Sequence, residues 1–181
     1  MKRILTIIVI AVLTLSVKGQ IISQYIETSS GTTPKGIEIW NNTASTIDFA
    51  TTNLVVQQGT NGGAPANVVT VSSGTLSSGA VLVIGTAADV SGSGTGFKDF
   101  VETNGATFIT YSFSFNGDDA LVIKLNGVTT DVFGTPGVDP GTAWTGNGVS
   151  TANQNISIND GINTGDLDGW TDPSTSVSSY L

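Results

Sequence analysis

Histidine and cysteine are both absent from this 181-residue chain, and basic residues are scarce. Without histidine there is no imidazole base, no Ser-His-Asp or Cys-His pair and no histidine-ligated zinc site. Without cysteine there is neither a disulfide framework nor lipid attachment through a processed cysteine, so the fold must stand on its hydrophobic core. Lysine and arginine together number 6, against 14 carboxylates. Three of the six (Lys2, Arg3 and Lys18) fall within the first nineteen residues, which leaves Lys35, Lys98 and Lys124 and a formal charge of −11 for residues 20–181. Direct nucleic-acid binding is disfavoured by that balance, because such binding depends on cationic side chains displacing counterions. Anionic membrane surfaces are disfavoured for the same reason.

Long hydrophobic runs are nearly absent too. The exception, "ILTIIVIAVLTLSV" at 4–17, is shorter than the roughly 20 residues that span a bilayer. It follows Lys2 and Arg3 and ends in small residues, the pattern of a secretory signal peptide over residues 1–19. Val17 and Gly19 fit the positions before a cleavage site, so cleavage is expected before Gln20. Lys18 sits awkwardly there, and an uncleaved N-terminal anchor is the alternative. The expected location is secreted or at the cell surface, with no transmembrane segment after cleavage. Residues 20–181 suit one domain.

Helical periodicity is also rare. Only "GFKDFVETNG" at 96–105 carries it, with Phe97, Phe100 and Val101 spaced for a turn or two of amphipathic helix. Elsewhere short apolar bursts alternate with Gly, Asn and Ser, and each burst reads as a strand. They lie at 21–27, 35–41, 46–50, 53–59, 66–74 and 80–85 and, after a Gly/Ser-rich loop at 91–96, at 106–115, 120–127 and 128–134. In "KGIEIWN", Ile37 and Ile39 share one face and Glu38 and Trp40 the other. In "SFSFN", Phe113 and Phe115 oppose Ser112 and Ser114. The expected class is all-β, an antiparallel sandwich of about eight or nine short strands. Apolar density falls after Trp144. Residues 146–181 read as a polar C-terminal extension, packed on the sandwich with a final strand or partly disordered.

Candidate site residues are few. Asp118 and Asp119 follow the turn dipeptide Asn116-Gly117, and Asp139 lies among Pro136, Gly137, Pro140 and Gly141. A structural Ca²⁺ would suit these three carboxylates together with backbone carbonyls, since calcium takes six to eight oxygens. Alternatively one of Asp118 and Asp119 accepts backbone N–H groups in the turn while the other faces solvent, and Asp139 initiates a turn of its own through its side chain. No other cofactor is expected. "DLDGW" at 166–170 fails as an EF-hand, because position five is Trp170 and no glutamate follows. Glu27 and Glu38 could mimic a glycosidase pair, but solvent-facing charge that blunts strand association suits them better. Trp40, Trp144, Trp170, Tyr25 and Tyr111 could offer sugar a stacking platform or simply fill the core.

Several of these bursts, in order, resemble the lamin tail domain. They are "ISQYIE" at 22–27, "GIEIWNN" at 36–42, "IDF" at 47–49, "LSSGAVLVIG" at 76–85, "FNGDDALVIKLNG" at 115–127 and "DVFGTPGVDPGTAW" at 131–144. That family is an immunoglobulin-like β-sandwich found at the end of nuclear lamins and in secreted bacterial proteins. The nearest pattern is the bacterial branch that often accompanies extracellular nuclease domains. The resemblance implies an immunoglobulin-like fold and a non-catalytic binding or adhesion role, the partner being an extracellular protein or a surface polysaccharide. An accessory role in extracellular nucleic-acid processing is the alternative, and a carboxylate- and metal-dependent hydrolase a further one. The branch tends to continue with a basic strand, whereas this chain has "NISIND" at 155–160 and no basic residue after Lys124. That departure weakens any role that depends on holding DNA.

Overall fold

The computed structural model describes residues 19–28, 34–88, 96–170 and 177–180. The expected signal peptide, apart from Gly19, lies outside the described residues, as does the 91–96 loop apart from Gly96. Each apolar burst forms a strand. In chain order they are β1 (Gln20–Glu27), β2 (Lys35–Asn41), β3 (Ile47–Asp48), β4 (Leu54–Gly59), β5 (Ala66–Val71), β6 (Thr75–Leu76) and β7 (Val81–Gly85). Helix α1 (Gly96–Thr103) intervenes before β8 (Thr107–Thr110), β9 (Ala120–Leu125) and β10 (Val128–Phe133). Three short strands end the series: β11 (Thr145–Gly146), β12 (Val149–Ser150) and β13 (Asn155–Ser157). No helix among the described residues is long and apolar enough to cross a membrane.

The strands build an all-β sandwich. A five-stranded sheet in the order β13-β1-β2-β7-β8 faces a four-stranded sheet in the order β10-β9-β4-β5. Period-two alternation sends Ile37, Ile39, Leu82 and Ile84 inward from the first sheet, and an irregularity at Ser23 lets Ile22 and Tyr25 both face the same way. Leu54, Val56, Leu121, Ile123 and Phe133 meet them from the second, and the two inner faces form one core. Phe113 and Phe115 are buried while Ser112 and Ser114 are exposed, as their alternation requires. Regular pairing nevertheless stops at Thr110, because residues 111–116 carry the chain from one sheet to the other.

Two features depart from the sequence reading. One strand pair, β7 with β8, is parallel rather than antiparallel. Parallel neighbours need a crossover, and α1 supplies it. The helix packs on the outer face of this sheet, where Val101 joins Val83 and Phe108, and Phe97 meets Phe108 edge-on at 5.5 Å. Phe100, assigned to the same apolar stripe, is instead 67% exposed. An eight-residue helix packed on the outer face of β7 and β8 covers only a narrow stripe of its own surface.

The C-terminal extension is bound into the fold where it is described. β13 pairs with β1 and completes the five-stranded sheet, and Ile156 is buried there. Ile158 bridges Tyr180, which is buried in the main core. Residues 171–176 lie outside the described set.

Candidate functional site

The adjacent carboxylates of Asp118 and Asp119 behave differently, because successive side chains diverge along an extended backbone. Asp119, at the entry to β9, is fully withdrawn from solvent. Its Oδ1 accepts the Asn61 N–H at 2.8 Å and its Oδ2 accepts the Gln58 amide at 2.7 Å. Asn61 needs that anchor, since it holds a positive φ of 47° in the turn between β4 and β5. Asp118 is also buried, yet its Oδ1 has no hydrogen-bond partner. Burial, opposed by its own backbone N–H and reinforced by the charges of Asp119 and Asp139, pushes its carboxyl above the usual range.

Asp139 is exposed, and its Oδ1 accepts the Gly141 N–H at 2.7 Å, a local turn bond. The loop is nevertheless close to the acidic pair, because a Cβ on Gly62 would lie 2.8 Å from the Asp139 nitrogen. Two of the three proposed calcium ligands therefore hold turns through backbone N–H groups. Among the described residues, no group of three or more acidic, histidine or cysteine side chains is arranged to hold a metal ion. Asn116-Gly117 makes no hairpin here. Gly117 has φ 104°, and a Cβ on it would meet Ala152 at 2.6 Å, so glycine is required for both conformation and close approach. Two-residue hairpin turns form instead at Asn126-Gly127, with φ values of 49° and 79° between β9 and β10, and at Asn147-Gly148, with 48° and 82° between β11 and β12.

A second acidic site centres on Asp131, which sequence reasoning did not single out. Both β1 and β10 carry a bulge, at Ser23 and at Thr130, and the bulged segments meet across the gap between the sheets. Thr130 Oγ1 donates to the Gln20 carbonyl at 2.9 Å. Asp131 Oδ2 accepts the Ile22 N–H at 2.7 Å, and Oδ1 accepts the Asp166 N–H at 2.8 Å. The Ile22 carbonyl in turn accepts the Tyr180 hydroxyl at 2.9 Å. Burial dominates the Asp131 carboxyl and, with the nearby charge of Asp166, raises it to about 7 despite the N–H groups that favour the anion. Asp166 is raised as well, chiefly by burial, while the N–H groups of Asp168 and Gly169 oppose the rise. A legible signal existed: Asp131 has the same strand parity as the core residue Phe133, and aspartate is depleted in strands.

Asp131 lines a cleft of about 360 Å³ together with Asn163, Thr164, Asp166, Trp170 and Tyr180. Its volume lies within the range of small-molecule sites, and its lining is more polar than theirs usually is. The aromatic candidates do not form a flat platform. Tyr25 stacks on Phe133 at 4.8 Å and 6°, and Trp170 leans on Phe133 at 4.6 Å and meets Trp144 edge-on at 5.8 Å. These rings form one aromatic column through the core, with half-buried Trp170 at the cleft. Tyr111 meets Phe113 at 4.8 Å at the far side, and Trp40 stays on the outer face of β2.

Glu27 and Glu38 correct the expectation of solvent-facing charge. Glu27 is 1% exposed; it pairs with Lys35 at 2.9 Å and accepts the Asn153 N–H at 2.9 Å. Glu38, half-buried, accepts Ser23 Oγ at 2.7 Å and the Gln24 amide at 3.2 Å. The two glutamates do not face each other, since Glu27 stands opposite Lys35 and Glu38 opposite Gln24. No family model matches the chain, and neither a curated protein nor a solved structure matches it.

Proposed function

We propose that this chain is an exported, non-catalytic binding or adhesion module of lamin-tail type, attaching to a surface polysaccharide or an extracellular protein. The observation that carries this reading is where the buried carboxylates point. Asp119 holds the Asn61 N–H, Asp131 holds those of Ile22 and Asp166, and Glu27 holds that of Asn153. A general acid or base must reach a substrate proton, and these groups are turned toward their own backbone. The hydrolase reading keeps Asp118, whose Oδ1 has no hydrogen-bond partner, but among the described residues no group of three or more acidic, histidine or cysteine side chains is arranged to hold a metal ion. The cleft beside Trp170 is the place where such a module would take its ligand, with amide, hydroxyl and carboxylate groups to bind hydroxyls and an indole to pack against.

The test is retention of the purified protein on cell-envelope material, before and after treatment of that material with periodate, protease or nuclease. Retention that persists at high salt and is lost after periodate or protease, with no release of soluble sugar or peptide, is expected. Release of product during incubation would overturn the non-catalytic reading. Loss of retention after nuclease alone, or its collapse at high salt, would replace it with the nucleic-acid accessory role.

A further inference from the structure

We propose that Gln20 is the residue on which the exported chain begins and that it closes there into pyroglutamate, an uncharged lactam sealed at the end of the sandwich. The proposal rests on the export reading, in which the signal peptide is cut before Gln20. Strand β1 starts at that residue, which is entirely buried. Neither Oε1 nor Nε2 of its side-chain amide has a hydrogen-bond partner. An unpaired buried amide is costly, and no bond anchors this one where it lies. Asn41, directly opposite on β2, is equally buried and shows the contrast of an anchored amide. Its Nδ2 donates to the carbonyls of Ser45, Leu76 and Ser77, and its Oδ1 accepts the Thr43 hydroxyl.

The backbone leaves the α-nitrogen of Gln20 out of the β1–β2 ladder. The Asn42 N–H donates to the Gly19 carbonyl at 3.3 Å, so Gln20 and Asn41 form a pair whose own N–H groups point away from each other. What holds Gln20 is its carbonyl, which accepts the Thr130 hydroxyl at 2.9 Å. Cutting before Gln20 therefore forfeits one long hydrogen bond and creates an α-ammonium at a buried position, where charge is expensive. Near neutral pH part of that amine is uncharged. Its nitrogen attacks the side-chain Cδ and forms the lactam bond; the Cδ–Nε2 bond breaks, and Nε2 leaves as ammonia with the proton that the amine gives up. The step needs no oxidant, reductant or co-reactant. It removes the terminal charge and both N–H donors of the unpaired amide, and it keeps the Gln20 carbonyl for Thr130. Ring closure precedes the sealing of β1, because no enzyme reaches the buried residue in the finished sandwich.

Mass spectrometry of the protein recovered from an exporting bacterial culture decides it, and that measurement needs no variant to fold. Trypsin should release residues 20–35, a peptide without asparagine, so that a lost ammonia cannot come from an Asn-Gly succinimide. The expected peptide begins at Gln20, is lighter by one ammonia and is blocked to Edman degradation. A peptide that begins at Gln20 with a free amine and full mass would overturn the proposal and leave export standing. A chain that begins elsewhere, or that retains residues 1–19, would overturn it together with the cleavage reading. Gln20→Asn keeps an amide but cannot close a five-membered lactam, so its first peptide should keep both its ammonia and its free amine. Loss of ammonia that persists in Gln20→Asn would place the loss at Gln24 and overturn the assignment.

Discussion

Lys35 on β2 stands directly opposite Glu27 on β1, and its ammonium meets the Glu27 carboxylate at 2.9 Å with both side chains nearly sealed from water. The same ammonium donates to the Phe115 carbonyl and lies 5.9 Å from that ring's centre. One cation thus ties the β1–β2 pair to the segment that crosses between the sheets.

Removing one member of a buried pair strands the other, at a cost of about 3–5 kcal/mol. Lys35→Met is expected to destabilise by that order, and Lys35→Met with Glu27→Gln by clearly less. Urea unfolding of the two variants decides it. Equal losses in both would show that packing around the lysine stem, not the orphaned carboxylate, sets the cost.

The global pH dependence should run against the usual acid lability. Burial raises Asp131 to about 7 and also raises Asp118 and Asp166. A carboxyl raised on folding binds more protons folded than unfolded, so its contribution to stability falls as pH climbs from about 4 toward 7 and is flat above. The urea midpoint should therefore be higher at pH 5.5 than at pH 8 in the native chain. Asp131→Asn should narrow that difference.

The neighbouring aspartates should respond in opposite ways to the same substitution. Asp119→Asn weakens the acceptor held by Asn61 and Gln58 and is expected to cost about 1–3 kcal/mol. Asp118→Asn removes a buried charge whose Oδ1 has no partner, so it should be neutral or stabilising at pH 8. A large loss in Asp118→Asn would point to an undetected partner for that carboxylate.

Calcium should matter little to stability. An ion held at about one hundred times its dissociation constant adds about 2.7 kcal/mol, or roughly 5–10 °C in Tm for a domain of this size. Since Asp119 and Asp139 already serve backbone N–H groups, a melt with EDTA should differ from one with calcium by about 1–2 °C at most. A drop several times larger would restore Asp118, Asp119 and Asp139 as a calcium site.

Much of the strand framework was legible because it rests on local alternation. Ile37 and Ile39 are buried and Glu38 and Trp40 half-buried, as the pleat demands. The helix at 96–103 was legible from its spacing, but its purpose was not. A crossover is needed only because β7 and β8 run parallel, and strand direction is absent from any local window. The acidic site was half legible. Asp119 as a turn holder followed from its residue type, but its partner Asn61 lies 58 positions away.

Composition alone excluded histidine and thiol chemistry, and alternation alone set an all-β class, because both depend only on residue identity and order. Tertiary structure decided what the carboxylates do. Glu27 and Asp131 are surface-type residues by composition, and they became buried anchors when long-range pairing enclosed them. For Asp131 the proton affinity followed from that burial, which packs it against Ile22, 109 residues away, and beside the charge of Asp166, 35 residues away.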